Sequence, residues 1–397
     1  MHTQTDICIV GDGAIGKVAA LGFAQAGLKV TLLRPTRAAG AKPASDEWDV
    51  RVYAVNHTAH ALLSSVKVWD ALDMSRVAPV DAMAVEGDGA AAGKLLFDAY
   101  GARVGTLAWI VEDSNLNQAL DAALKFASNV QIVSGRAMAI ATDEKAAHVT
   151  LEDGNTLSAE LLVGADGGQS WVRAQCEIGF DYRAYGQRAI VTNFHCEKSH
   201  HGVAHQWFSA QEGIVALLPL PDNRVSLVWS APDALADTLL TESMDALAQR
   251  LAAYAQPALG KLRPLQPEVV KSFPLALIRP HAITAPRVAL IGDAAHVLHP
   301  LAGHGMNLGF GDVESLLQLV ANRGEHRDCG DARMLARYAR SRKEDILLMQ
   351  FTTDVLARLF GTDFEPVRLV RNLGLNLVNR LPVLKRTLIG HALGKSL

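Results

Sequence analysis

The opening of the chain changes hydrophobic period twice. Ile7 to Val10 is an unbroken apolar run suited to a short buried strand. Ala14 to Gln25 carries apolar residues at helical spacing, and Lys29 to Leu33 returns to a strand. Gly27 stands where a helix C-cap is expected, so residues 6–34 read as a strand–helix–strand unit. Two later apolar runs, Leu161 to Val163 and Val288 to Ile291, each meet a glycine-containing loop and then a helix start, near Ser170 and near Met306. Between them, "GIVALLPL" and "RVSLVWS" flank Pro221, Asp222 and Asn223, whose turn chemistry predicts a hairpin. From 306 onward helical spacing dominates, including Leu335 to Phe360.

The first unit contains GxGxxG as Gly11, Gly13 and Gly16, placed between strand and helix as a dinucleotide fingerprint requires. Gly11 permits the tight turn, Gly13 lets backbone approach a pyrophosphate, and Gly16 lets helix and strand pack closely. The helix N-terminus offers unpaired N–H groups and partial positive charge to that pyrophosphate. Such units usually end the second strand on an acid that accepts from ribose hydroxyls, but here Arg34 stands there. Arginine only donates, and taken alone it points to the 2′-phosphate of NADP.

Residues 161–173, "LLVGADGGQSWVR", place Gly164, Asp166, Gly167 and Gly168 after a strand, with Ser170 and Arg173 at a helix start. Residues 287–312, "RVALIGDAAHVLHPLAGHGMNLGFGD", place Gly292 and Asp293 after another, followed by a glycine-rich loop. In both, a carboxylate at a strand end can accept from sugar hydroxyls, and glycines let backbone N–H groups reach a ligand. The order GxGxxG, DG, GD resembles the flavoprotein hydroxylases of the para-hydroxybenzoate hydroxylase fold. "DVRVYAVNHTAHALLSSVKVWDAL", "WIVEDSNLNQAL" and the GD segment narrow the resemblance to the ubiquinone-biosynthesis branch of FAD-dependent monooxygenases.

The resemblance implies an α/β fold: a Rossmann-like FAD-binding domain with an inserted β-sheet substrate domain and a helical C-terminal region. The expected division gives 1–75, 102–178 and 276–330 to FAD, 76–101 and 179–275 to the strand-rich substrate domain, and 331–397 to helices. It further implies that Gly11, Gly13 and Gly16 hold the FAD pyrophosphate. Arg51 and Gln118 would line the phosphate and ribityl region, Asp166 with Gly167 would serve the DG motif, and Gly292 with Asp293 would bind the ribityl chain. Pro300, Gly303, His304, Gly305, Met306 and Asn307 would lie along the isoalloxazine ring. The implied reaction is hydroxylation of a polyprenylated phenol or quinol of ubiquinone biosynthesis through a flavin C4a-hydroperoxide, with NAD(P)H as transient donor and O₂ as co-substrate. No side chain is identified as a catalytic acid or base.

Alternatives at this level are a same-fold enzyme acting on a small soluble aromatic acid, a prenyl reductase, and a flavin-binding scaffold of a biosynthetic complex. The chain departs from the family at Arg34, and at His304 and Met306, where "GQGLN" is more usual. With FAD as cofactor, Arg34 has no 2′-phosphate to clamp. It is assigned to stacking on adenine or donating to a ribose oxygen, so Arg34→Glu is expected to keep or tighten FAD binding.

Composition changes the picture only at the margins. A net charge of −3 argues against nucleic acid as a partner. Cys8, Cys176, Cys196 and Cys329 have no CxxC spacing, and they read as reduced thiols of a cytoplasmic protein. His296 and His299 lack a third metal ligand nearby. "FHCEKSHHGVAH" (Phe194 to His205) reads either as a zinc tract or as a polar connection between strands. Arg173 reads either as a cofactor contact or as a solvated helix residue. From Pro366 to Leu397 there are six basic residues and no acidic ones, interleaved with leucines. That segment reads either as a helix packed on the domain or as a peripheral contact with an anionic membrane, and association with a complex or a second copy is a further expectation.

Overall fold

Alternation along the first strand decides the central architecture. Ile7 and Ile9 face one apolar cluster with Phe23, Leu32, Leu161 and Phe310, while Cys8 and Val10 face another with Leu33, Val149, Leu162 and Val172. A strand covered on both faces belongs in the middle of a sheet. The computed structural model describes residues 2–35, 47–88, 92–266, 268–299, 304–324 and 326–360. In chain order the elements are β1 (His2–Val10), α1 (Ala14–Gln25), β2 (Val30–Arg34), β3 (Val52–Val55), α2 (His57–Ser65), β4 (Ala78–Val80), β5 (Ala82–Glu86), β6 (Lys94–Asp98), α3 (Ala99–Ala102), β7 (Ala108–Glu112), α4 (Asp113–Phe126), β8 (Val130–Ser134), β9 (Ala137–Thr142), β10 (Ala147–Leu151), β11 (Thr156–Gly164), α5 (Trp171–Gln175) and β12 (Phe180–Cys196). There follow β13 (Val203–Ser209), β14 (Gly213–Leu220), β15 (Arg224–Pro232), α6 (Asp233–Thr241), α7 (Met244–Leu259), β16 (Leu262–Pro264), β17 (Lys271–Pro280), β18 (Thr284–Ala285), β19 (Val288–Leu290), α8 (His304–Ala321) and α9 (Ala332–Phe360).

The first sheet runs β18-β19-β11-β1-β2-β8, with β10 and β9 added beside β11. Strands β19, β11, β1, β2 and β8 are mutually parallel, and Val10 pairs with both Gly164 and Leu33 while Gly164 pairs with Leu290. The motif-bearing strands therefore end level with one another, at the edge where open α/β sheets bind ligands. Helices α1, α4 and α8 cover one face. Gly22 of α1 allows the close approach of α8, since a Cβ there would stand 3.0 Å from Leu317 Cδ2.

The second sheet runs β16-β12-β15-β14-β13-β5-β6, with β17 also on β12. Its hairpin turns at Pro221, Asp222 and Asn223, the last two with φ of 56° and 54°, where Asp and Asn are tolerated. Residues 179–275, expected to be strand-rich, also contain α6 and α7. Leu247, Leu251, Ala255 and Leu259 recur at helical spacing and pack on Val215, Leu217 and Trp229. A third sheet, β3-β7-β4, lies between the others in sequence. No helix among the described residues is long and apolar enough to cross a membrane.

Candidate flavin site at the sheet edge

Three loops meet where β1, β11 and β19 end. Ala165 N donates to Val10 O (2.8 Å) and Ile291 N to Gly164 O (2.9 Å). A Cβ on Gly11, whose φ is +115°, would strike the Ala165 carbonyl, and one on Gly16 would strike the Gly11 carbonyl. These glycines are required by the protein's own packing. Gly13 is different. Its backbone is ordinary and extended, and a Cβ there would meet no heavy atom within 4 Å. It is the N-cap of α1 yet supplies no side-chain cap, and the first turn holds no acid. An uncapped helix terminus behind an open glycine fits a pyrophosphate.

Asp293 is exposed at the end of the GD turn. Surrounding protein nonetheless desolvates its carboxylate and raises its pKa, with His296 and Arg51 opposing. The Arg51 guanidinium lies over the rings of Tyr53 (5.6 Å) and Phe273 (5.7 Å). Asn307, in the first turn of α8, fixes its surroundings: its Oδ1 accepts from Asn56 N (3.0 Å) and its Nδ2 donates to Ala54 O (2.7 Å). Met306 packs partly buried against the main core, and Gly305 has open space at its Cβ. Gln118 lies on the exposed face of α4. Pro300 and Gly303 lie outside the described residues, as does the segment 361–397; of His304 only the backbone, at the start of α8, is described.

The DG segment is held by contacts within the protein. Asp166 turns inward: Oδ1 accepts from Ser170 Oγ (2.5 Å) and Oδ2 from Val172 N (3.0 Å), so it caps α5. Gly167, with φ of +85°, makes the turn after it. Arg173 is buried, 3% exposed, and is no solvated helix residue. Its NH2 donates to Gly168 O (2.7 Å) and its NH1 to Ala294 O (3.1 Å), tying the DG loop to the GD loop, while its guanidinium covers Phe180.

Arg34 meets carboxylates of the protein itself: Nε is 3.1 Å from Asp12 Oδ2 and NH2 is 3.5 Å from Asp121 Oδ1.

A buried polar cluster behind the GD loop went unnoticed in the sequence. Asp312 of α8 is fully buried and accepts from Gly292 N (2.9 Å), from His296 Nε2 (2.6 Å) and from Arg342 Nε of α9 (2.7 Å). Burial raises its pKa, but His296 and Arg342 outweigh burial and hold it below the usual carboxylate range. The available signal was one charge inside an apolar, small-residue stretch, "LGFGDV".

His296 and His299 diverge rather than pair. His299 Nε2 lies 3.0 Å from Gln187 Oε1 and its ring meets Tyr185 edge-on at 4.9 Å. Burial pulls His299 down to about 4, with Asp354 opposing, so it is neutral at physiological pH. In the Phe194 to His205 tract, Cys196 Sγ donates to Asn223 O (2.9 Å), His200 Nε2 lies 2.8 Å from Leu220 O, and His205 stacks on Trp207. These contacts are those of a connection between strands. Burial pushes Cys8 and Cys329 up to about 12 and Cys176 and Cys196 to about 11, which disfavours the reactive thiolate.

The family model described as "FAD binding domain" matches residues 4–347. The chain is 36% identical over 393 residues to ubiquinone hydroxylase UbiL of Rhodospirillum rubrum, covering 98% of this chain and 89% of the relative. It is 35% identical over 401 residues to the 3-demethoxyubiquinol 3-hydroxylase of Escherichia coli, covering 99% of both. Among solved structures, p-nitrophenol 4-monooxygenase PnpA of Pseudomonas putida superposes with a TM-score of 0.77 at 18% identity, covering 100% of each chain.

Proposed function

We propose a ring hydroxylase of ubiquinone biosynthesis, because the chain belongs to the FAD binding domain family and, within it, to the monooxygenases of that pathway. It is an FAD-dependent enzyme whose substrate is a prenylated phenol or quinol. The observation that carries the reading is the junction of the GxGxxG, DG and GD loops at one sheet edge, around an open glycine and an uncapped helix. When bound, FAD would take electrons from NAD(P)H, activate O₂ and supply the oxygen atom placed on the ring.

The chain's own residues have separable roles in this reading. Gly11 and Gly16 shape the cradle, and Gly13 admits the pyrophosphate to the α1 N-terminus. Asp293 accepts from the ribityl hydroxyls, with Arg51 beside it and Gln118 at the outer rim. Gly167 and Asp166 set the DG turn, Gly292 sets the GD turn, and Gly305, Met306 and Asn307 would follow the flavin ring. The three stretches 1–75, 102–178 and 276–330 form the cofactor domain, and 76–101 with 179–275 provide the wall for the substrate. Tyr185, Gln187 and neutral His299 stand where β12 meets the GD segment, and would exclude water and orient an aromatic ring.

The C-terminal basic segment from Pro366 would contact the membrane from which a prenylated substrate is drawn. Exposed Leu348 and Phe351 on α9, which precedes that segment in sequence, support this reading. The test is purified protein assayed for bound flavin and for NAD(P)H oxidation stimulated by a prenylphenol, together with complementation of strains lacking one ring hydroxylase each. Rescue of one strain names the ring position. Rescue of none, with stimulation only by a soluble aromatic acid, would overturn the substrate assignment.

A further inference from the structure

The acid missing from the end of β2 has a counterpart inside the glycine loop. Asp12, between Gly11 and Gly13, is 9% exposed, and its Oδ2 sits 3.1 Å from Arg34 Nε. Arg34 in turn reaches Asp121 of α4 (3.5 Å), which also binds the buried Lys17 Nζ of α1 (2.7 Å). Lys17 donates to Asn117 Oδ1 (3.0 Å) as well. The strand end is thus tied to the loop and to two helices by alternating charges. In dinucleotide folds the strand-end carboxylate accepts from the adenosine ribose, and an arginine cannot.

We infer that Asp12 is the ribose acceptor of this chain and that Arg34 is a positioning residue that holds its carboxylate. The inference rests on the FAD reading above. A carboxylate offers about four acceptor sites on its two oxygens, so one that forms ion pairs can still accept from a hydroxyl. The expected consequence of Arg34→Glu is thereby reversed from the sequence-based expectation. A glutamate there would face Asp12 and Asp121, putting three carboxylates together.

The experiment is a double-mutant cycle read by FAD and FMN titration of the apoprotein, with apoprotein melting as a control. Asp12→Asn, Asp12→Gly and Arg34→Glu should each weaken FAD binding roughly ten- to a hundredfold, the scale of hydrogen bonds to a charged group. The double variant Asp12→Gly/Arg34→Glu returns the acid to the strand end and should recover FAD binding to within about threefold. FMN, which lacks the adenosine, should bind every variant as it binds the native chain, a pattern that mere structural damage would not give. Unchanged FAD affinity in Asp12→Asn, tighter binding in Arg34→Glu alone, or equal losses for FAD and FMN would each overturn the inference. Failure of the native protein to bind FAD would instead overturn the cofactor reading.

Discussion

Asp312→Asn should loosen the flavin site from behind without touching any ligand. Asp312 receives one N–H from Gly292 and one from His296 on Oδ2, and one from Arg342 on Oδ1. Asparagine has the same shape but only one acceptor oxygen. Whichever way it turns, its NH₂ faces a donor, and Arg342 keeps a buried charge whose other carboxylate partner, Asp345, is 61% exposed. Removing one partner of a buried pair costs about 3–5 kcal/mol. For 397 residues unfolding together, about 2.1 cal/mol/K per residue gives roughly 0.8 kcal/mol/K, so the melting temperature should fall by about 4–6 °C. Because Gly292 loses its anchor next to Asp293, bound flavin should fall as well. The assay is thermal melting of the apoprotein, with flavin absorbance per protein on the purified holoenzyme. Asp312→Asn/Arg342→Met removes both charges and should recover part of the stability. A melting shift below about 1 °C for the single variant would refute the claim that this cluster holds the GD loop.

His299 gives a pH test. Its folded pKa of about 4 lies below an unfolded value of about 6.5, so between those values the unfolded chain binds a proton that the native chain does not. This group's contribution is therefore complete above about pH 6.5 and falls as pH drops, by about 2 kcal/mol at pH 5. His299→Leu should flatten that part of the stability–pH profile, measured by denaturant titration at each pH. The glycines of the first loop should separate by mechanism. Gly11→Ala strikes the Ala165 carbonyl and should lower both stability and flavin content, whereas Gly13→Val places its Cβ in open space and should fold normally while losing flavin. A Gly13→Val variant that retains native flavin content would exclude close pyrophosphate approach at that position. Arg173→Met leaves the Gly168 and Ala294 carbonyls without their charged donor, and should lower the melting temperature by a few degrees. Unchanged melting would show that this strut is dispensable.

The strand–helix–strand unit, the hairpin and the three glycine-bearing loops were legible because each is set by local rules: hydrophobic period, turn chemistry and the conformational freedom of glycine at Gly11 and Gly292. The second sheet was legible as strands, but α6 and α7 within it were not anticipated, although their apolar spacing is helical. Partner choice over long separations was not legible at all. In the sequence, Arg34 is assigned to adenine or a ribose oxygen, with no partner from the protein. Only the fold brings it to Asp12 and Asp121, because parallel pairing of β1 with β2 sets the strand end beside the glycine loop.

Arg173 and Asp312 follow the same logic. A charged side chain reads as solvated by default, and its burial depends on carbonyls and charges supplied by residues 121 positions away in one case and 30 in the other. Residue types and their neighbours along the chain fix where the backbone can turn tightly and where it stays uncovered, as at Gly11 and Gly13. The tertiary structure alone decided which charges meet, because electrostatic partners depend on through-space distance that no local pattern encodes.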